Sequence, residues 1–167
     1  YIGPSYSDEE IKSFLDSKNI SYKSFDDITL LQKTAHLIAD GNVVGWYQGK
    51  MEWGPRALGN RSILADPRRA DMKDILNAKI KHRESFRPFA PSIMEEFASE
   101  YFEMDIPSPY MLMVAPVKKP KEIPAVTHVD GTGRLQTVSK ESNELYYSLI
   151  NEFYKITGVP VIINTSM

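Results

Sequence analysis

The chain has no cysteine. Disulfides and thiolate metal sites are thereby excluded, and a reducing compartment fits the composition. No apolar run approaches the roughly 20 residues that span a bilayer, and Tyr1 opens no signal-peptide pattern, so the expectation is a soluble, cytoplasmic protein. Internal repeats and low-complexity segments are missing too. So are the GxxxxGK[ST] phosphate loop and the GxGxxG turn, which means that any nucleotide must be held by another geometry. What remains is a chain of 167 residues, 42% of them hydrophobic, enough for one domain with a sizeable core.

The net charge is only −2, but it is unevenly spread. Between positions 50 and 87 ten basic residues face five acidic ones, and six of the seven arginines lie between 56 and 87; the seventh is Arg134. Positive charge focused in this way suits a small anion or a phosphate backbone, the alternative being a solvated basic face. The densest part is 48–68, QGKMEWGPRALGNRSILADPR. Its glycines Gly49, Gly54 and Gly59 let backbone approach a ligand or take positive φ, and its arginines present rigid forks of donors to oxyanions. It reads as an anion-handling loop that carries Arg56 and Arg61 and feeds a buried strand at 62–65.

In chain order, Ser7 and Glu10 form a capping box for a helix with Ile11, Phe14 and Leu15 on one face. A short strand at 21–25 precedes a second helix that starts near Asp26 and Asp27, buries Ile28, Leu31, Ala35 and Ile38, and stops at Gly41. His36 lies inside it in an ordinary helical role. The run 43–47 is a central strand with Trp46 in the core. Asp66 and Pro67 begin a helix reaching about Lys79, with Met72, Ile75 and Leu76 buried. In KHRESFRPFAPSI, 81–93, Lys81, Arg83 and Arg87 are interleaved with Phe86, Phe89 and two prolines: either a stiffened anion site or an edge strand with charges facing solvent. A helix is expected over 95–102 and a methionine-rich strand over 110–117. THVDGTGRLQTV, 127–138, is a bulged or hairpin-like strand that presents Arg134. His128 and Asp130 within it are a metal pair, an acid–base couple or a polar turn, with no third ligand for the first. Asn143 caps a helix that Gly158 ends, and the strand 159–164 finishes in the polar tip Asn164, Thr165, Ser166. Alternating strands and helices with polar strand ends predict an α/β (α+β) domain with a mixed, twisted sheet and a ligand at the strand tips.

The four segments QGKMEWGPRALGNRSILADPR, KHRESFRPFAPSI, THVDGTGRLQTV and TGVPVIINTS closely resemble the C-terminal domain of the NodU/CmcH family of O-carbamoyltransferases, over nearly the whole chain. The resemblance implies a YrdC-like twisted open sheet flanked by helices, following a Kae1-like N-terminal domain that is absent from this sequence. It implies binding of carbamoyl phosphate and ATP and formation of carbamoyl adenylate. The Kae1-like domain, which would hold the iron or other metal, then transfers the carbamoyl group to an acceptor hydroxyl. Residue by residue, Arg56, Lys81, Arg87 and Arg134 match the family's catalytic basic residues. Arg61, Arg83, His128, Asn164 and Ser166 fall on its substrate- and nucleotide-binding positions. The family continues NTSFN where this chain reads NTSM and stops, so part of the site's closing segment is expected beyond Met167.

Adenylation moves negative charge among crowded phosphates, a task of positioning and electrostatic stabilisation that arginine and lysine perform without a catalytic carboxylate. Mg²⁺ is expected to arrive with ATP, held by phosphates and water, with no metal site of the domain's own. Two other classes stay open. One is a YrdC-like nucleic-acid-binding module, disfavoured by net negative charge and few stacking aromatics. The other is a non-catalytic interface for the partner domain, which a large exposed apolar patch would mark. Association as a homodimer is compatible with either.

Overall fold

Capped amphipathic stretches and short apolar runs give five α-helices and seven strands across residues 1–167, all of which a computed structural model describes. Helix α1 (Asp8–Ser17) starts at the expected capping box, where Ser7 Oγ accepts the Glu10 N–H and the Glu10 carboxylate accepts the Ser7 N–H. Its apolar stripe stays outside the core, because the helix has no buried residue and Phe14 is 58% exposed. The strand expected at 21–25 does not form: no neighbouring strand offers it a ladder, and Tyr22 and Phe25 point outward. Helix α2 (Asp27–Ala39) is capped by Asp26, which accepts the Thr29 N–H at 2.9 Å. It buries Leu31, Ala35 and Ile38, whereas Ile28, in its first turn, stays exposed.

Five strands form the main sheet: β1 (Val44–Tyr47), β2 (Arg61–Ala65), β7 (Val161–Ser166), β3 (Ala90–Met94) and β6 (Gln136–Val138), in that spatial order. All neighbours are antiparallel except β3 and β6. Every residue of β3 is buried, so the end of the 81–93 segment is an inner strand and not a solvent-facing edge, while Lys81, Arg83 and Arg87 lie ahead of it. Pro91 is tolerated because it lies at the start of β3, before the ladder to β6 begins at Ser92. Strands β4 (Val114–Pro116) and β5 (Thr132–Arg134) make a separate antiparallel ribbon. The expected strand over 110–117 thus shrinks to three residues, after a turn in which Met111 has φ +55°. The 127–138 stretch divides at Leu135 and passes from ribbon to sheet.

Helix α5 (Glu144–Thr157) begins at Asn143 and ends at Gly158, φ +74°, as the sequence predicts. It packs on α2, and the two helices cover the sheet. Residues 95–102 form a 3₁₀ turn and the one-turn helix α4 (Ala98–Tyr101), not one helix. The helix expected from Asp66 starts late. Both Asp66 oxygens are taken by Arg68, whose N–H and guanidinium close a turn at 2.6–3.1 Å, so α3 (Met72–Ile75) begins only at Met72 and continues as a π-helix, Leu76–Lys81. Met72 and Leu76 are buried as predicted. No helix is long and apolar enough to cross a membrane.

A candidate anion site at the strand ends

Sheet topology gathers one end of each main strand on the same edge: Tyr47 closes β1, Arg61 opens β2, Ser166 closes β7, Ala90 opens β3 and Gln136 opens β6. The arginine loop, 48–60, is laid across this edge by buried polar side chains. Asn164 Nδ2 donates to the Ala57 carbonyl at 3.0 Å, and Gln136 Nε2 donates to the Leu58 carbonyl at 3.0 Å. Ser92 Oγ donates to Gln136 Oε1 at 2.7 Å and joins the two anchors. From within the loop, Glu52 Oε1 accepts the N–H groups of Leu58 and Asn60 at 2.7 and 2.6 Å. Gly59, φ +101°, lies against the Tyr146 ring so closely that a Cβ would come within 2.3 Å of it. Arg56 is thereby carried on a backbone fixed on both sides.

The second basic segment is organised by Asn77, 1% exposed in the π-helix. Its Oδ1 accepts Arg83 Nε at 2.7 Å, and its Nδ2 donates to the carbonyls of Arg87 and Ser85 at 3.0 and 3.3 Å. The Arg83 guanidinium also lies 4.8 Å from the centre of the Phe89 ring, so the aromatic spacing of this segment does hold a cation. Lys81 Nζ donates to the Ser166 carbonyl at 2.6 Å and reaches Ser166 Oγ at 3.3 Å, joining the segment to the end of β7. Arg87 pairs with Glu84 at 2.9 Å near the surface.

Arg134, at the end of β5, is half-buried and close to Arg56. Burial, and then the Arg56 charge, hold its pKa below the ordinary arginine range. Lys81 is lowered by burial and then by Arg83, and Arg83 by burial and then by Arg87. Partly buried cations gathered in this way form a region of positive potential, which an anion would relieve. Arg61 stands at the same edge but leans on Met51 Sδ at 3.3 Å.

His128 and Asp130 are not a direct pair. Asp130 Oδ1 accepts the Thr132 hydroxyl at 2.7 Å and its N–H at 3.0 Å, and His128 Nδ1 meets the same hydroxyl oxygen at 3.1 Å. The single hydroxyl proton is committed to Asp130, so Nδ1 carries the hydrogen and Nε2 keeps a free lone pair. Burial lowers the imidazole's pKa against the pull of Asp130, with Arg134 adding to the lowering. No three carboxylate or imidazole groups converge as a metal cage.

Five buried side-chain polar atoms in the chain lack a hydrogen-bond partner: Glu52 Oε2, Arg56 Nε, Arg134 Nε, Tyr146 Oη and Asn164 Oδ1. All belong to the arginine loop or to side chains around it. Unpartnered buried polar atoms are rare and costly, and their concentration here singles out this edge as the candidate site. Sequence reasoning had named Arg56, Arg134 and Asn164. It missed Glu52, Asn77, Ser92 and Gln136, whose only signal is a polar residue at a position later found buried.

The family model described as carbamoyltransferase C-terminus matches residues 35–167. Nodulation protein NolNO of Sinorhizobium fredii is 54% identical, over 89% of this chain and 22% of that protein. Nodulation protein NolO of Bradyrhizobium diazoefficiens is 48% identical, over 99% of this chain and 31% of its own length. The chain therefore spans less than a third of these relatives. Among solved structures, full-length HypF in a phosphate- and nucleotide-bound form superposes with TM-score 0.55 at 17% identity, covering 88% of this chain and 18% of HypF. Sua5 of P. abyssi complexed with L-threonine gives TM-score 0.59 at 17% identity, over 86% of this chain and 40% of Sua5. The predicted YrdC-like mixed α/β fold is the fold observed.

Proposed function

This chain belongs to the family of carbamoyltransferase C-termini, and we propose that it is the carbamoyl-activating part of such an enzyme. In this reading it binds carbamoyl phosphate and ATP and produces carbamoyl adenylate, which a Kae1-like N-terminal domain of the longer polypeptide passes to an acceptor hydroxyl. The observation that carries the reading is the crowding of unpartnered buried atoms beside partly buried cations at one sheet edge.

By atom balance, water must take the phosphoryl group of carbamoyl phosphate. The freed carbamate oxygen then bonds to the α-phosphorus of ATP, and pyrophosphate leaves. Arg56 and Arg134, partly dehydrated and adjacent, are suited to the phosphate whose charge grows. Lys81, with Arg83 and Arg87 behind it, is suited to the leaving pyrophosphate, and Ser166 orients Lys81. Fixed donors in a partly dry site stabilise such charge with little reorganisation. His128 Nε2 offers a neutral acceptor nearby, and Asn164 holds the loop. With no converging carboxylates, Mg²⁺ accompanying the nucleotide would be held by phosphate oxygens and water.

Calorimetric titration of the chain with carbamoyl phosphate, ATP and pyrophosphate tests this. Saturable binding is expected, weakened at least about tenfold in Arg56→Ala and Lys81→Ala, the cost of one charge-assisted contact. Absence of binding at millimolar ligand would overturn it. The second reading, a non-catalytic interface for the partner domain, is favoured by the exposed apolar side chains of the N-terminal segment, Ile11 and Phe14 on α1 and Tyr22, Phe25 and Ile28 after it.

A further inference from the structure

The arginine loop has a further anchor that the sheet does not supply. Residues 1–4 form neither helix nor strand, yet they lie against both ends of the stretch that carries Arg56. At one end Gly3 N–H donates to the Met51 carbonyl and Met51 N–H donates to the Pro4 carbonyl, each at 3.0 Å. Tyr47 Oη donates to that same Pro4 oxygen at 3.2 Å. The approach is close, since a Cβ on Gly3 would stand 2.7 Å from the Met51 oxygen. At the other end Tyr1 Oη donates to the Leu58 carbonyl at 3.1 Å and accepts from Asn143 Nδ2 at 3.2 Å. Leu58 therefore receives one hydrogen from Gln136, out of the sheet, and one from Tyr1. Between the two ends Trp53 is 77% exposed and Gly54 has open space around it, so this stretch has little packing of its own. Packing does not pin residues 1–4 from behind either, because α1 buries no residue.

We propose that residues 1–4 are a strap that positions Arg56, and that docking of the strap and binding of an anion at Arg56 are coupled. Tyr1 and Gly3 hold loop backbone, so they are positioning residues. The docked strap removes conformations of 52–57 that the loop would otherwise have to give up on binding. Linkage makes the effect reciprocal: the factor by which the docked strap raises anion affinity is the factor by which a bound anion favours docking. The inference rests on the activating role given above, in which a further domain precedes the strap. It deepens that role by giving the site a point of control outside the sheet.

The test titrates pyrophosphate into the native chain, Tyr1→Phe and Gly3→Ala by calorimetry. Tyr1→Phe keeps the ring and removes the hydroxyl, and Gly3→Ala forces the strap away from Met51. Each should weaken binding about fivefold, the equivalent of one neutral hydrogen bond. A double-mutant cycle separates positioning of Arg56 from a general loosening of the fold. The effect of Tyr1→Phe should vanish in Arg56→Ala and persist in Lys81→Ala. Hydrogen exchange in the native chain supplies a readout that needs no variant. The Gly3 and Met51 amides should exchange more slowly by about the same factor when pyrophosphate saturates the site, while the Thr29 amide, held by the α2 cap, should not respond. Exchange that ignores the anion would overturn the proposal, and so would equal losses in the two variant backgrounds. If the native chain binds pyrophosphate and both folded strap variants bind it equally well, the strap's role alone falls. If the native chain does not bind it, the activating role falls and takes the strap's role with it.

Discussion

Replacing Asn77 by alanine tests whether one buried amide holds the second basic segment in place. The substitution removes an acceptor from Arg83 Nε and donors from the Arg87 and Ser85 carbonyls. A hydrogen bond to a charged group contributes about 1.5–3 kcal/mol and a neutral one about 1 kcal/mol. The segment is largely exposed, so water rescues part of this loss, and the expected destabilisation is about 2–3 kcal/mol by urea or guanidinium unfolding. The cation–π contact with Phe89 then becomes the main restraint on Arg83, and pyrophosphate affinity should fall about tenfold as a preorganised donor becomes mobile. A double-mutant cycle with Arg83→Met isolates the tether. Its coupling should be about 1–2 kcal/mol, because the pair is in direct contact. Stability within about 0.5 kcal/mol of the native chain, or additivity to that margin, would refute the reasoning and reduce Asn77 to a space-filling helix residue.

Three further predictions follow from the same geometry. Gly59→Ala should destabilise by about 3 kcal/mol or more, since it combines left-handed backbone with a methyl 2.3 Å from the Tyr146 ring. Gly54→Ala, at φ +152° with open space around it, carries only the backbone penalty of about 1–2 kcal/mol; unfolding midpoints that do not separate the two would contradict this. Ser166→Ala should change stability by less than about 1 kcal/mol, because the shorter contact of Lys81 is to the Ser166 carbonyl and survives. The folded-state pKa of His128 lies below the ordinary value of 6.5, so the unfolded chain binds more protons between the two values. Its contribution is complete above about pH 6.5 and is lost as pH falls through that value toward the folded pKa. An NMR titration should place the ring below 6.5, and His128→Gln should flatten this part of the stability profile.

The sequence made legible those features whose causes lie close together along the chain, and obscured those that depend on what is packed opposite. Capping boxes, the Gly158 stop and the apolar runs of β2 and β7 are local, and they fold as read. The Asp66 turn misled because aspartate followed by proline is a good helix start only while its oxygens are free, and Arg68, two residues on, takes them. The α1 stripe misled for the opposite reason: its periodicity is genuine, yet nothing in these residues covers it. The site divides along the same line. Arginines were easy to find because focused charge has no role in a core. The groups that aim them were not, since Glu52, Asn77, Ser92 and Gln136 each look like an ordinary surface residue until topology buries them. Glu52 and Asn77 bond within their own segments, six to ten residues on. Ser92 and Gln136 bond groups far away in sequence, a net that forms only after the sheet has brought the strand ends together. The basic loops and the sheet edge are therefore interdependent: without the anchors the arginines would repel one another into solvent, and without the arginines the buried polar anchors would have no occupant to justify their cost.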